Sequence, residues 1–473
     1  MGWLVFAVAA VVYCLTIESS ASFWDCPEFI TTGYKLEVGH PPGAPFFMLT
    51  ANLFSQLASD PSQVAYMVNV MSALLSAGCI LFLFWSITHL TRRLICGNST
   101  TIQTGQMITI IGAGLVGALA YTFSDTFWYS AVEGEVYAYS SFFTAVVFWF
   151  ILKWEEEADD VRSDRWLILI AYMMGLSVGV HLLNLLCIPA IVLIYYYKKR
   201  PNAGWKGSLM ALVVSAILVA AILYGIVPGI VKVGGWFELL FVNGLSMPFN
   251  TGLIVYIVLL VGTLVWSIWE THAAKSQLRT NIAFIAVVAL TGLPFYGHGA
   301  ACVVLGLIVL GVLAVYLFCQ DLIKEQWRMS ARVMSTALVS ILMIVIGYSS
   351  YAVIVVRSAA NTPMDQNSPE DIFTLGSYLN REQYGDTPLF YGGSYASKVK
   401  RKVEGQYLVP VVEEGAKVYT PKEKENPDEK DQYFVVRTKD KYVMEPAMLF
   451  PRMHSADHAN WPAGGSTINL YDS

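Results

Sequence analysis

Apolar residues recur along the chain in runs of roughly 16 to 27, close to the ~20 that carry a helix across a ~30 Å hydrocarbon layer. The pattern predicts eleven spans, near 2–17, 64–90, 106–123, 138–154, 166–180, 182–197, 206–227, 250–269, 281–297, 299–319 and 333–355. The first resembles a signal peptide in ending near Ser20-Ala21-Ser22, but it lacks a basic leading region and is read as a retained helix. Between the first two spans lies a 46-residue connection, Glu18 to Gln63, far longer than neighbouring helices require. Inside it, PEFITTGYKLEV predicts a short helix opened by Pro27, and FFMLTANLFSQLA is apolar on too broad a face for a solvated loop and is expected at the membrane interface.

After Val356 the pattern changes to strand-like pieces such as QYFVVRT and turn signals such as YGDTP and GGS. The predicted architecture is therefore mainly α: a polytopic membrane helix bundle over 1–356, with outer loop 18–63, followed by a small α/β domain over 357–473. The final AGGSTINLYDS carries no closing helix or strand signal, so the chain reads as part of something longer.

Composition agrees with a membrane bundle. Hydrophobic residues make up 55% and charged residues 14%, against about 25% charged in soluble domains, and the mean hydropathy is +0.52. A net charge of -5 spread over the chain gives no reason to expect nucleic acid as a partner. The seven cysteines show no CxxC spacing, so neither a disulfide framework nor a zinc site is expected. Fourteen Lys and Arg lie in connections on one side of the predicted bundle, while only Lys35 and Lys232 lie on the other. The basic side is assigned to the cytoplasm, which puts the N-terminus inside and both the 18–63 loop and the tail outside, in the periplasm of a cell with an inner membrane.

The outer connections hold the candidate chemistry. In SFWDCPEF, Asp25 is either the N-cap of the short helix or, with Glu28 and beside Trp24, a base facing a substrate at the membrane surface. His40, in the turn HPPGAP, is either a hydrogen-bonded turn residue or part of that site. The second connection, FSDTFWYSAVEGEVYAYSS, places Glu133 and Glu135 among Trp128, Tyr129, Tyr137 and Tyr139 with no Lys or Arg nearby. An interfacial belt explains the aromatics, though not the unpaired acids; acids beside flat rings suit sugar hydroxyls and C–H faces. In GVHLLNL, His181 and Asn184 are structural glue or site residues. Arg357 follows the last span where a lipid phosphate would lie, as a phosphate fork or a snorkelling side chain. No histidine pair has HxxxH or HExxH spacing, so no metal set is assigned, although Asp25 and Glu133 could hold a divalent cation. GxxxxGK[ST], GxGxxG after a strand and GxSxG are all absent, which argues against nucleotide and serine-hydrolase chemistry.

SFWDCPEFITTGYKLEVGHPPGAPFFML, FSDTFWYSAVEGEVYAYSSFFTAVVFWFILKWEEE, GLSVGVHLLNLLCIPA and YSSYAVIVVRSAANTPMDQNSPEDIFTLGSYLNREQYGD together resemble the family called domain of unknown function 2723. That family is widespread in Bacteroidetes and related to eukaryotic transmembrane protein O-mannosyltransferases. The resemblance implies a GT-C type glycosyltransferase that moves a sugar, mannose by analogy, from a polyprenyl-phosphate carrier to a Ser or Thr of an extracytoplasmic protein. It also implies an essential acid in the first outer loop, matched by Asp25 with Glu28 second; Asn361 and Asp365, within the fourth matching stretch, are candidate substrate-binding residues. The chain departs from the family pattern at Pro27, where glycine is expected, and at Thr362 and Gln366 within ANTPMDQN. Two other readings compete: a lipid-linked glycan flippase, against which stand the gathering of acids at one face and the lack of an internal repeat, and an inactive envelope scaffold.

Overall fold

The computed structural model describes residues 1–451 except 98, 100, 201, 203, 274–275, 326–327 and 385–389. His454, His458, the closing AGGSTINLYDS and most of the YGDTP turn lie outside the described residues.

The bundle opens with α1 (Gly2–Leu15). Val5, Ala9 and Tyr13 recur every four residues, so they share one helix face, and that face is buried against Ala73, Ala77, Ile80 and Phe84 of α4 (Val64–Cys96). Trp3, Leu4 and Val11 on the other side stay exposed, as suits a lipid-facing surface. The long connection folds into α2 (Cys26–Lys35) and α3 (Pro45–Ser55), which share a core in which Phe29, Ile30 and Phe47 meet Val68 and Met71 of α4. Next come α5 (Thr104–Thr122), the short α6 (Asp125–Ala131), α7 (Val136–Glu157) and α8 (Asp164–Val178). A 3-10 stretch, Leu182–Cys187, then leads into α9 (Ile188–Lys199). After α10 (Trp205–Ala220) and α11 (Val227–Leu239) come α12 (Thr251–Ala273), α13 (Gln277–Leu290), α14 (Gly299–Phe318), α15 (Ala331–Tyr348), α16 (Ala352–Ala359) and α17 (Ile372–Leu379).

Each of the eleven expected spans coincides with a helix, and among the described residues eight helices are long and apolar enough to cross a membrane. The spans were misjudged in one place. The span expected to stop at 227 continues: Trp205–Gly244 is one helical run of 40 residues, about 60 Å at ~1.5 Å per residue. Pro228, whose missing N–H and ring disrupt a regular α-helix, follows a π-helical turn over Ala221–Ile226 within that run.

One end of the bundle is belted by ion pairs, among them Arg93–Glu155 (2.9 Å), Arg165–Glu157 (2.7 Å) and Arg332–Asp164 (2.6 Å). These lie at the C-terminal ends of α4 and α7 and the starts of α8 and α15. Glu135 sits at the opposite end of α7, about 33 Å away along 22 residues of helix.

The tail after Tyr391 is built of paired strands: β1 (Tyr391–Val399), β2 (Arg401–Glu404), β3 (Tyr407–Pro410), β4 (Val412–Glu413), β5 (Lys417–Pro421), β6 (Tyr433–Thr438), β7 (Lys441–Tyr442) and β8 (Met444–Leu449). They pair antiparallel as β1–β8, β2–β3, β4–β7 and β5–β6. QYFVVRT is a strand as expected, but the GGS expected as a turn lies inside β1, which carries an irregularity after Gly393. Glu238, fully buried on α11, joins tail to bundle. Its carboxylate accepts from the backbone N–H of Leu253 (3.0 Å) and Asn250 at the start of α12 and from the Tyr433 hydroxyl (3.3 Å).

Helices α8 and α15 cross with their backbones almost touching: a Cβ on Gly347 would lie 2.4 Å from the Gly175 carbonyl carbon, and one on Gly175 would lie 2.6 Å from Ile344 O. Small residues permit such crossings. Gly347→Val is expected to cost about 1–3 kcal/mol or more and to lower the melting temperature in detergent. Gly262→Val, at a position with nothing within 4 Å of the added carbon, is expected to leave it unchanged.

Candidate functional site

Asp25 occupies the N-cap position of α2, but with φ −83° and ψ −8° rather than the extended backbone of a working cap, and its side chain accepts no capping hydrogen bond. The capping explanation therefore fails. The carboxylate is 55% exposed, and among the described residues no hydrogen bond holds it. Glu28, three residues on, shares its helix face and turns toward the 36–43 segment. There its carboxylate accepts from the backbone N–H of His40 and lies 2.9 Å from His40 Nδ1. The approach requires Gly39, since a Cβ there would stand 2.5 Å from Glu28 Oε1. Edge contact with Phe29 at 5.5 Å fixes the imidazole plane and leaves Nε2 4.0 Å from Asp25 Oδ2.

Glu133 and Glu135 come to the same place from the turn between α6 and α7. Gly134 lets that turn lie down on the bundle: a Cβ there would be 2.9 Å from Asn69 Oδ1 and 3.0 Å from Ile30 Cγ1. The Cys26 thiol donates to Glu133, and burial together with the charges of Glu133, Glu135 and Asp25 pushes its pKa up to about 12, so it stays an inert thiol. Glu135 is 7% exposed, and its Oε2 is buried without a partner. Burial, reinforced by the negative charges of Asp25 and Glu133, pushes its pKa up to about 7. Burial also opposes ionisation of Glu28, but hydrogen bonds from the His40 ring and backbone outweigh it, and the net shift is downward. The Glu28 hydrogen bond raises His40 against the opposing effect of burial, Asp25 adds to the rise, and the positive charge of Arg381 subtracts from it.

Asp25, Glu28, His40, Glu133 and Glu135 thus form one electrostatic unit at the end of the bundle opposite the ion-pair belt, and they can supply a base, an orienting histidine and acceptors for hydroxyl groups. One ligand atom each from Asp25, Glu28 and His40 fall within 4.8 Å of one another, so these three form a set that could hold a divalent cation. The roughly 3–3.5 Å spacing of ligands around such an ion would require them to draw together.

The other sequence candidates are placed as follows. Trp24 stands beside Asp25 in a left-handed turn (φ 61°), 95% exposed. Tyr137 packs its ring 5.3 Å from His181, whose Nδ1 accepts from Leu183 N–H (3.1 Å) at the head of the 3-10 stretch. Trp128 is tied elsewhere, donating to Thr16 at 2.9 Å and packing on Tyr13. Asn184, fully buried, donates to Ser177 Oγ at 3.0 Å and is interhelical glue. Arg357 directs its guanidinium to the carbonyls of Leu36 and Lys35 (3.2 Å) at the end of α2. Asp365 accepts from Ser358 (3.0 Å), and Asn361 forms an exposed left-handed turn (φ 52°); both shape the strap that pairs with the 36–43 segment through Val38 N–H to Met364 O (2.9 Å).

Three residues with a part in the site were not singled out from sequence. Cys26 lacked any pairing motif, Tyr378 donates from α17 to Gly39 O at 2.7 Å, and Arg381 was one cation among many in the tail.

The comparisons with known proteins cover the same stretch. Residues 25–204 match the family described as Protein O-mannosyl-transferase TMEM260 N-terminal domain, and residues 385–463 match a family of unknown function, DUF8416. Over 199 residues the chain is 29% identical to Protein O-mannosyl-transferase TMEM260 of Mus musculus, covering 41% of this chain and 26% of that protein. Over 188 residues it is 24% identical to Protein O-mannosyl-transferase tmem260 of Dictyostelium discoideum, covering 38% of this chain and 21% of that protein. The chain thus spans about a quarter of the length of the curated relatives it matches. No solved structure matches it.

The raised pKa of Glu135 has a stability consequence. A carboxyl raised in the folded state favours folding below its unfolded value and loses that advantage as pH rises through about 7. Glu135→Gln mimics the protonated form, so it is expected to melt with the wild type at pH ~4 and above it at pH ~8.5. Equal melting at both would mean that Glu135 is not held neutral.

Proposed function

We propose that this chain is the membrane-embedded part of a glycosyltransferase that moves a sugar from a polyprenyl-phosphate carrier to a Ser or Thr of a protein on the outer face of the membrane, with Asp25 as general base. The observation that carries the reading is the Asp25 carboxylate: it is placed at a helix start yet unused as a cap, half exposed, and 4.0 Å from a histidine that Glu28 holds in place. Similarity to protein O-mannosyl-transferases over a stretch beginning at residue 25 supports it and favours mannose as the sugar.

In this reading the acceptor oxygen bonds to the anomeric carbon as the bond from that carbon to the phosphate oxygen breaks. The hydroxyl proton passes to Asp25, and polyprenyl phosphate leaves with the bonding electron pair. His40, whose protonation the Glu28 hydrogen bond favours, stands 4.0 Å from the Asp25 carboxylate and orients it. Glu133 and Glu135 accept hydrogen bonds from sugar hydroxyls, or in the case of protonated Glu135 donate one, and Trp24 and Tyr137 offer flat faces to the ring. The basic connections at the opposite end and the carboxylates at this end fit a cytoplasmic N-terminus and a site outside the inner membrane.

Labelled mannose supplied as the polyprenyl-phosphate conjugate to membranes carrying the protein is expected to appear on an acceptor polypeptide. Asp25→Asn is expected to lower the rate about 10²-fold or more, the scale of a lost general base. Glu28→Gln, which releases His40 while leaving Asp25, is expected to lower it less and to shift the acid limb of the pH profile. Transfer by Asp25→Asn at the wild-type rate would remove Asp25 from the role.

A further inference from the structure

A phosphate leaving group gains negative charge as it departs and calls for a cation, yet the candidate site is built of carboxylates. Arg357, at the level where a lipid phosphate was expected, has its guanidinium on the carbonyls of Lys35 and Leu36. Lys232 donates to the carbonyls of Phe295 (2.9 Å) and Gly297 (2.6 Å). Lys439 is paired with Glu382 and hydrogen-bonded to Ser377.

Arg381 differs from all three. It follows α17 in a left-handed backbone conformation (φ 54°), is exposed, and rests over the Tyr384 ring at 4.8 Å. No carboxylate among the described residues pairs with it. Its backbone N–H donates to the carbonyl of Tyr378 (3.0 Å), whose hydroxyl donates to Gly39 O (2.7 Å) and His40 O (3.4 Å), and its charge opposes protonation of His40 and His181.

Arg381 also lines a cleft of about 2300 Å³ between the outer part of the bundle and the strand-built tail. The bundle wall of that cleft is apolar and aromatic, formed by Leu182, Leu223, Tyr224, Trp236, Leu239 and Tyr296, of which Tyr224, Trp236 and Tyr296 are conspicuously exposed. Lys232, Lys400, Lys417, Arg437, Lys439 and Lys441 also line the cleft, but Arg381 is the cation that follows Tyr378, whose hydroxyl bonds to Gly39 beside His40; that cation and the apolar wall match the two ends of a lipid monophosphate.

Resting on the transferase reading, we infer that the cleft between α11, α14 and α17 seats the carrier lipid, with its phosphate on the Arg381 guanidinium and its isoprenoid chain along the Trp236 and Tyr224 wall. The sugar on that phosphate then faces Asp25 and His40, and the guanidinium stabilises the second negative charge of the departing polyprenyl phosphate. The Tyr384 ring beneath the guanidinium holds its plane.

The test is binding to the intact protein in nanodiscs, read by native mass spectrometry or tryptophan quenching. The probes are a long-chain polyprenyl monophosphate, the corresponding polyprenol, phosphatidic acid and inorganic phosphate. The wild type is expected to prefer polyprenyl phosphate. Arg381→Gln is expected to weaken that binding about 10- to 100-fold, the scale of a lost charged hydrogen bond, while polyprenol binding is unchanged and Arg381→Lys retains part of the preference. Trp236→Ala is expected to weaken polyprenyl phosphate and polyprenol alike.

Undiminished phosphate preference in Arg381→Gln, or its loss in Arg357→Gln instead, overturns the assignment. Equal competition by phosphatidic acid or inorganic phosphate overturns the isoprenoid part. The transferase reading fails separately: Arg381-dependent binding without any sugar transfer by the wild type defeats that reading and leaves the lipid seat standing.

Discussion

The acidic site depends on the clamp that holds residues 36–43 in place. This segment has no regular secondary structure of its own, and its backbone groups are satisfied by chain more than three hundred residues away. Arg357 reaches the carbonyls ending α2, Val38 exchanges hydrogen bonds with Met364 and Gln366, and Tyr378 donates to Gly39 O. Val38, Met48, Val178, Tyr351, Ile354, Ile372 and Tyr378 form the apolar mass beneath. Unpaired backbone groups beside a membrane are costly, so the strap and α17 are what allow the first outer loop to hold one shape. His40 hangs from that loop, and Glu28 is positioned through His40.

The clamp also explains the electrostatics. Four carboxylates gathered without a paired lysine or arginine repel one another, and the fold tolerates them in two ways. Glu28 is stabilised as an anion by His40. Glu135, the most deeply buried of the four, is pushed toward neutrality. Asp25 stays exposed and unbonded. The arrangement keeps one acid free and fixes its neighbours, the division of labour that proton-transfer sites use. Arg381, brought in by the turn after α17, adds a single positive charge at the rim.

Much of this was legible in the sequence because the governing constraints are local. Hydrocarbon thickness sets span length, so all eleven helices could be placed, and loop charge separated the two ends of the bundle. Asp25, Glu28, Glu133 and Glu135 stood out because acids without nearby cations are conspicuous among aromatics. Local signals misled where a distant contact or a backbone adjustment decided the outcome. The span predicted to end at 227 runs on through Pro228 after a π-helical turn, and GGS reads as a turn, but β8 pairs with it. Arg357 reads as a phosphate fork or a snorkelling side chain, and its contacts are the carbonyls that end α2; Asn184 reads equally as glue or ligand, and it donates to Ser177.

By itself, then, the order of apolar and polar residues determined that this is a multispanning helix bundle with a long acidic first connection and a strand-containing tail, because period, length and charge are properties of neighbouring residues. Only the tertiary structure decided which acid is free, which is neutral and which cation stands near them. Those choices depend on burial and on separations of a few ångströms between residues that α4, α7, α15 and α17 bring together from opposite ends of the chain.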